Sequence, residues 1–304
     1  MPDATSVLLA GPWSHRDYSA NGVRLHVAEA GEGPLILLLH GFPQFWWCWR
    51  HQLTALSEQG YRVVAPDLRG YGASDKPPRG YDAVTAAADI AGLVRALGER
   101  DAFVVGHDWG GLVAWSVGAL HPRAVRRLAV LSMPHPRRLR ASATGRRQLA
   151  ALAPLLGFQI PRYPERRITA RNGAYVAALL RSWAGARWRA DPDFAPAVAR
   201  YREAIQIPQA AYGSLEYFRW ALRSLARPDG LRYIRALAAP VGAPTLHLHG
   251  ADDPYLLPAS SEGSGRYVAA AYRFALLREC GHFPAEEQPA AVTAELLAWA
   301  RQDR

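Results

Sequence analysis

The residue whose type and position could do chemistry most directly is Asp108, at the centre of a Gly-His-Asp-Trp-Gly turn at 106–110. The apolar run at 102–105 precedes this turn and predicts a strand. The stretch at 112–117 follows it and predicts a helix. A strand, a tight Gly-x-nucleophile-x-Gly turn and a helix together hold the central side chain clear of a sheet. Serine is usual at that centre, and an aspartate changes the chemistry.

A carboxylate that attacks a saturated carbon forms an ester, and water can cleave this ester at the carbonyl carbon of the aspartate itself. A serine would form an ether, which water does not readily cleave. Asp108 therefore indicates displacement at an epoxide, a haloalkane or another activated C–X bond. Asp is ionised near neutral pH, so only the second step needs a base, which activates water. The alternative is that the motif is no more than a tight turn.

An acid and a base follow later in the chain, in the order expected for such a nucleophile. Asp252 and Asp253 come after the apolar strand predicted at 245–249, and His282 comes after the strand predicted at 273–277. The spacing Gly-x-x-Asp selects Asp253 as the residue that orients His282, with Asp252 left as the alternative. The sequence therefore predicts a triad of Asp108, His282 and Asp253.

Two backbone amides complete the predicted site. The amide of Phe42 follows a His-Gly pair after the strand at 35–39, and the amide of Trp109 follows the nucleophile. Together they would form an oxyanion hole. In this chemistry the hole receives the oxygen of the Asp108 carboxyl during ester hydrolysis.

Alternation of strands and helices predicts a parallel sheet that positions these residues. Strands are predicted at 23–28, 35–39, 61–66, 102–105, 128–132, 245–249 and 273–277, and helices at 45–58, 82–97, 112–117, 260–270 and 290–301. The alternation stops at Pro134, and helical segments and loops without a clear strand extend to about Arg227. We therefore predict a core at 1–133, a helical cap at 134–230 and the rest of the core at 231–304.

Several motifs resemble those of epoxide hydrolases of the α/β-hydrolase superfamily, close to the bacterial soluble type. They are His-Gly-Phe-Pro-Gln at 40–44, Asp-Leu-Arg-Gly-Tyr-Gly-Ala-Ser-Asp-Lys-Pro at 67–77, the turn at 106–111, and Gly-His-Phe-Pro at 281–284 with Glu286 and Glu287. The resemblance implies an α/β-hydrolase fold, with a mostly parallel central sheet flanked by helices and an inserted helical cap. It also implies hydrolysis of an epoxide to a diol without a cofactor, through a covalent ester on Asp108.

Three other functions stay open. One is a hydrolase similar to the haloalkane dehalogenases, which also carry Asp-Trp at the turn but often place a side-chain halide donor just after His-Gly, where this chain has Phe42. Another is a biosynthetic enzyme for cyclisation or lactone chemistry. The third is a non-catalytic small-molecule receptor on the same scaffold.

The cap departs from the family at two tyrosines that hold the epoxide oxygen. The first lies shortly before a Phe-Gln-x-Pro stretch, found here at 158–161, and the matching position is Pro154. The second precedes an arginine, and the matching position is Phe218. The nearest substitutes are Tyr217 and Tyr212, unless these two residues only pack the cap.

The formal net charge of +10 is concentrated in the predicted cap. Residues 134–235 contain 19 Arg and six acidic residues. Arg-biased codon usage is one explanation, and an anionic substrate or an acidic carrier protein is the other. Nucleic acid is not expected as a partner, because the arginines are scattered among apolar positions and no recognition motif is present.

The remaining composition predicts a reduced, cytoplasmic bacterial protein that acts on a small molecule. Cys48 and Cys280 are too few for a disulfide framework. We expect no signal peptide and no membrane span, since the longest clean apolar run is at 35–39. Without clustered Cys and His residues, neither a metal nor a cofactor is expected. A homodimer is left open.

Overall fold

Eight strands form a single sheet in the order β1-β2-β4-β3-β5-β6-β7-β8 within the described part of the chain, which comprises residues 2–142 and 145–302 of a computed structural model. The strands are β1 (Ser14–Ala20), β2 (Val23–Ala30), β3 (Leu35–Leu39), β4 (Arg62–Pro66), β5 (Ala102–His107), β6 (Val125–Leu131), β7 (Thr245–Gly250) and β8 (Tyr272–Leu277). Neighbours pair in parallel from β4 to β8, whereas β1, β2 and β4 pair antiparallel. The predicted mostly parallel sheet is confirmed.

The helices are α1 (Arg50–Ser57), α2 (Ala83–Ala96), α3 (Trp109–Leu120), α4 (Pro136–Ser142), α5 (Arg146–Leu152), α6 (Tyr163–Trp183), α7 (Ala186–Arg189), α8 (Phe194–Ala204), α9 (Ala210–Arg223), α10 (Pro228–Ala236), α11 (Pro258–Ser261), α12 (Pro284–Glu287) and α13 (Pro289–Ala300). Strands β3 and β5 are buried at every position. Their continuous apolar runs fit this burial, since helices cover both faces of a parallel sheet.

Helices α4 to α10 fill the interval between β6 and β7, and the described residues of that interval contain no strand. Helix α6 is broken by non-helical backbone from Ala170 to Gly173. Arg219 of α9 ties this region together, because its guanidinium donates to the carbonyl oxygens of Phe158 and Ile160 and pairs with Glu165. The predicted end of the cap at residue 230 falls inside α10. A boundary placed between two helices would therefore lie before or after α10.

Two elements differ from the sequence prediction. The single helix predicted at 260–270 is wrong: α11 ends at Ser261, and a short 3₁₀ helix spans Ser264–Tyr267. Gly263 separates them with φ +78°, a backbone conformation that a continuous helix cannot contain. Strand β1 was not predicted, because it is a largely exposed edge strand whose residues are mostly polar.

None of the helices in the described ranges is long and apolar enough to cross a membrane. Over the same ranges, no group of three or more His, Cys, Asp or Glu side chains is placed to hold a metal ion.

Candidate active site

The turn between β5 and α3 places Asp108 at the carboxyl edge of the sheet. Asp108 has φ 49° and ψ −119°, a conformation that a non-glycine residue rarely adopts. A Cβ atom at Gly106 would lie 2.1 Å from the carbonyl oxygen of Gly110, and one at Gly110 would lie 2.2 Å from that of Leu39. The flanking glycines are therefore what allows the turn to close so tightly. Asp108 is fully buried.

The predicted acid and base converge on this carboxylate. His282 Nδ1 lies 2.8 Å from Asp253 Oδ2, and His282 Nε2 lies 3.6 Å from Asp108 Oδ1. Neither Asp108 Oδ1 nor His282 Nε2 has a hydrogen-bond partner among the described residues. Asp252, by contrast, has an exposed side chain. The arrangement leaves a gap between nucleophile and base in which a reacting group can lie.

The second oxygen of the nucleophile is held by the backbone. The amide of Phe42 donates to Asp108 Oδ2 at 2.9 Å. This approach depends on Gly41, where a Cβ atom would lie 2.4 Å from the Cβ of Asp108. Trp109 is the first residue of α3, and the first amides of a helix have no partner within the helix. Of the two amides predicted for the oxyanion hole, that of Phe42 therefore contacts the Asp108 carboxylate, and that of Trp109 stays a prediction.

Glu287 fixes the loop that carries His282. Its carboxylate accepts three backbone N–H groups, from Gly281 at 2.7 Å, Phe283 at 3.0 Å and Gly185 at 3.0 Å. The amide of His282 also donates to the carbonyl oxygen of Trp183 at 2.9 Å. The histidine loop is thus tied both to its own following helix and to the end of α6.

Charges within the site favour an ion pair in the free protein. Burial by itself would lower the pKa of His282, but the carboxylates of Asp253 and Asp108 raise it to about 10. Burial would raise the pKa of Asp253, but the charge of His282 and hydrogen bonds from His249 and His282 hold it below its usual range. His282 is therefore protonated near neutral pH in the free protein. Loss of the negative charge on Asp108 would lower the pKa of His282 and favour its neutral, basic form.

A cavity of about 500 Å³ lies between the sheet and the cap helices. Trp109, which follows Asp108 in the chain, and Tyr255, whose ring contacts that of His282, line it together with Phe218, whereas Asp108 and His282 are not among its described lining residues. Its other lining residues are mostly aliphatic: Leu112, Met133, Pro136, Leu139, Leu149, Leu152, Ala153, Leu155, Leu156, Ala221, Leu222, Leu225, Ile234 and Leu256. A cavity of this size and lining suits a mostly apolar small molecule.

The four cap positions singled out in the sequence lie in different surroundings. The Tyr217 hydroxyl donates to the carbonyl oxygen of Arg69 at 2.9 Å, and the Tyr212 hydroxyl donates to that of Pro78 at 3.0 Å. Neither tyrosine is among the described residues that line the cavity. Pro154 is exposed. Phe218 lines the cavity, with its ring centroid 4.8 Å from that of Trp109. Both tyrosine hydroxyls are thus bonded to the backbone, away from the cavity.

Sequence reasoning missed Tyr255, which lies beside the triad. Its ring is stacked on that of Trp183 at a centroid distance of 3.9 Å and meets the ring of His282 edge-on at 4.9 Å. The available signal was its position, two residues after Asp253 in the loop that follows β7. No pattern in the sequence joins Trp183 to this loop.

Known proteins resemble this chain in both sequence and fold. The sequence profile of a family described as the alpha/beta hydrolase fold matches residues 34–289. The chain belongs to the α/β-hydrolase family. It is 34% identical over 289 residues to the AB hydrolase superfamily protein YfhM of Bacillus subtilis, a match that covers 92% of this chain and 96% of that protein.

Other relatives of this α/β-hydrolase are named epoxide hydrolases. Epoxide hydrolase A of Mycobacterium tuberculosis is 31% identical over 315 residues, covering 94% of this chain and 97% of that protein. The crystal structure of epoxide hydrolase A from Mycobacterium thermoresistibile matches with a TM-score of 0.79 at 32% identity, covering 95% and 98% of the two chains. The chain is therefore an epoxide hydrolase-like enzyme, and the alternative of a non-catalytic receptor is not supported.

Proposed function

We propose that this enzyme opens an epoxide to a diol through a covalent ester on Asp108. The observation that carries the proposal is the pair of atoms left without partners among the described residues: Asp108 Oδ1, aimed at His282 Nε2 across 3.6 Å. A nucleophilic oxygen and a base that face each other in a buried site are what the two steps require.

In the first step the Asp108 carboxylate attacks an epoxide carbon, and the C–O bond of the ring breaks. The ester that forms has no charge, so one of the two carboxylates that raise the pKa of His282 is lost. His282 can then lose its proton and act as the base that activates water. The resulting hydroxide attacks the carbonyl carbon of Asp108, and the amides of Phe42 and Trp109 stabilise the oxyanion.

The test uses a variant that can form the ester but cannot cleave it. His282→Gln, incubated with an epoxide that the wild type turns over, should gain the mass of the substrate on the peptide that contains Asp108. Asp108→Ala in the same background is the control and should gain no mass. A wild-type substrate that leaves His282→Gln unmodified at every time point would contradict the ester.

We also propose that the substrate has an apolar body and an anionic group. Among the described residues that line the cavity, Arg140 is the one that carries a charge, and it makes no ion pair with a described carboxylate. Four leucines line the cavity and are also exposed, so its rim is apolar; they are Leu149 (55% exposed), Leu156 (54%), Leu222 (37%) and Leu225 (48%). An acidic carrier protein that presents the substrate is the alternative source of negative charge.

A pair of matched substrates tests this second proposal. Arg140→Gln should raise KM for an epoxy carboxylic acid by about 10-fold, the effect of roughly 1.4 kcal/mol, and should leave KM for its methyl ester unchanged. Arg138→Gln is the control, because that guanidinium donates to the carbonyl oxygens of Glu262 and Ala259. Equal effects of the two variants, or no preference for the acid, would contradict the proposal.

Halide release is the second candidate function, because the indole N–H of Trp109 is free to donate to a departing halide. Its indole Nε1 is buried and has no hydrogen-bond partner among the described residues. An indole N–H can donate a hydrogen bond but cannot transfer a proton at neutral pH, which suits a departing halide better than an alkoxide. Release of bromide from a 1-bromoalkane, with no turnover of any epoxide, would favour this function.

The cytoplasmic location stays a prediction, consistent with two buried free cysteines.

A further inference from the structure

The proposed epoxide opening needs a group that protonates the ring oxygen, because an alkoxide is a poor leaving group. The hydroxyls of Tyr217 and Tyr212 already donate to backbone carbonyl oxygens. Among the cavity-lining residues, the Tyr233 hydroxyl is bonded to Ser116 at 2.7 Å, and the Ser224 hydroxyl donates to the carbonyl oxygen of Ala221. These hydroxyls are therefore engaged in the structure itself.

Tyr255 differs from them. It lines the cavity, and its hydroxyl makes no hydrogen bond to any residue in the described ranges. Its backbone amide donates to Asp253 Oδ1 at 2.9 Å, which fixes the residue to the triad acid. The near-parallel stack on Trp183, with 4° between the planes, and the edge contact with His282 fix the ring. A rigid phenol thus borders both the cavity and the base.

Resting on the proposed function, we propose that Tyr255 is the acid for ring opening. Its O–H bond breaks as the epoxide C–O bond breaks, and the proton goes to the ring oxygen while Asp108 Oδ1 bonds to the carbon. The Tyr255 phenolate then takes a proton from the His282 imidazolium. This restores the phenol and leaves His282 neutral, which is the form that ester hydrolysis needs.

The protons balance over the full cycle. Neutral His282 removes one proton from water, and the hydroxide adds to the carbonyl carbon of Asp108. The alkoxide that leaves this carbon takes the proton from His282, which completes the diol. The carboxylic acid left on Asp108 returns its proton to His282, and the starting ion pair is restored. Epoxide and water are the only species consumed.

The surrounding charges favour proton transfer from Tyr255 at the moment when the epoxide ring opens. Burial, and then the charges of Asp108 and Asp253, raise the pKa of Tyr255 well above its usual range, so the phenol keeps its proton in the free enzyme. Formation of the ester removes the charge of Asp108. The phenol therefore becomes a better acid as the oxygen that needs its proton develops negative charge.

Tyr71 provides a matched control. Its hydroxyl is buried without a hydrogen-bond partner among the described residues, and burial, followed by the charges of Tyr217 and Asp108, raises its pKa. Tyr71 is not among the described residues that line the cavity; its ring packs against His40 and Tyr217. A donor identified only by burial and charge would include both tyrosines, whereas contact with both the cavity and the ring of His282 selects Tyr255.

The experiment measures ester formation in a His282→Gln background by rapid quench and intact-protein mass spectrometry. Adding Tyr255→Phe, which keeps the ring and its stack on Trp183, should slow ester formation from an epoxide by about 10²–10³-fold. Adding Tyr71→Phe should change the rate by less than twofold. The deficit of Tyr255→Phe should shrink for a trifluoromethyl-substituted epoxide, whose alkoxide is a weaker base and needs the proton less.

Three outcomes decide the proposal. Full-rate ester formation by the Tyr255→Phe variant overturns it, as does a loss that Tyr71→Phe carries instead. A loss in Tyr255→Phe that is equal for both epoxides also overturns it, because a structural effect would not follow the basicity of the alkoxide. If His282→Gln alone forms no ester from a wild-type substrate, the proposed function has failed, and this result does not involve Tyr255.

Discussion

Replacement of Asp253 by Asn should abolish the base while leaving the shape of the site unchanged. Asp253 Oδ1 accepts the amides of Tyr255 at 2.9 Å and Leu256 at 3.0 Å, and Oδ2 lies 2.8 Å from His282 Nδ1. The carbonyl oxygen of the new Asn must take the place of Oδ1, since an NH₂ group there would oppose two donors. Its NH₂ group then faces Nδ1 of His282, which must become an acceptor.

The ring proton of neutral His282 would therefore move to Nε2, the nitrogen that should accept a proton from water. The loss of a correctly oriented base is worth about 10²–10⁴-fold. We expect kcat on an epoxide to fall by this factor and the ester on Asp108 to accumulate. Ester formation in the first step, which does not use the base, should change far less.

Steady-state kinetics and intact-protein mass spectrometry measure the two effects separately. Asp252→Asn is the matched control, because Asp252 is exposed and only its backbone contacts the histidine loop, donating to Cys280 at 2.9 Å. Its kcat should stay within twofold of the wild type. A larger loss in Asp252→Asn than in Asp253→Asn, or an Asp253→Asn variant that turns over normally, would refute this assignment of the triad acid.

Two further predictions concern stability. The pKa of His282 is about 10 in the folded protein and near 6.5 in the unfolded chain, so its stabilising contribution should be complete below about pH 6.5 and lost as the pH rises through about 10. In urea unfolding, the difference in the free energy of unfolding between the wild type and His282→Gln should shrink over that range. A difference that is independent of pH would contradict the ion pair. Gly110→Ala should destabilise the protein by about 1–3 kcal/mol, because the new Cβ would lie 2.2 Å from the carbonyl oxygen of Leu39 in β3. Gly242→Ala is the control in the same unfolding assay. It should be nearly neutral, because no atom lies within 4 Å of the position of its Cβ.

The sequence predicted the elements in which local pattern and burial agree. Strands β3 and β5 are continuous apolar runs that can only be buried, and α2 begins where the Asp82 side chain accepts the amide of Thr85. The order of nucleophile, acid and base along the chain follows from parallel strands that all end at one edge. The spacing that favoured Asp253 over Asp252 corresponds to the geometry found beside His282.

The sequence could not predict the direction of cap side chains. Tyr217 lies one residue from Phe218 on α9, yet Phe218 faces the cavity while the Tyr217 hydroxyl reaches the backbone of Arg69. Which face of a helix meets a cavity depends on how the helix packs on the core, and every face of α9 carries aromatic or aliphatic residues. Tyr255 was missed because its partner Trp183 lies 72 residues earlier in the chain.

The most direct measurement of the covalent mechanism is a single turnover in H₂¹⁸O with enzyme in excess over epoxide. If Asp108 forms the ester, the second oxygen of the first diol comes from the carboxylate, so the diol should contain no ¹⁸O. The label should appear instead in the peptide that contains Asp108. A first-turnover diol that contains ¹⁸O, together with an unlabelled Asp108 peptide, would mean that water attacks the epoxide directly, and would contradict the mechanism proposed for this enzyme.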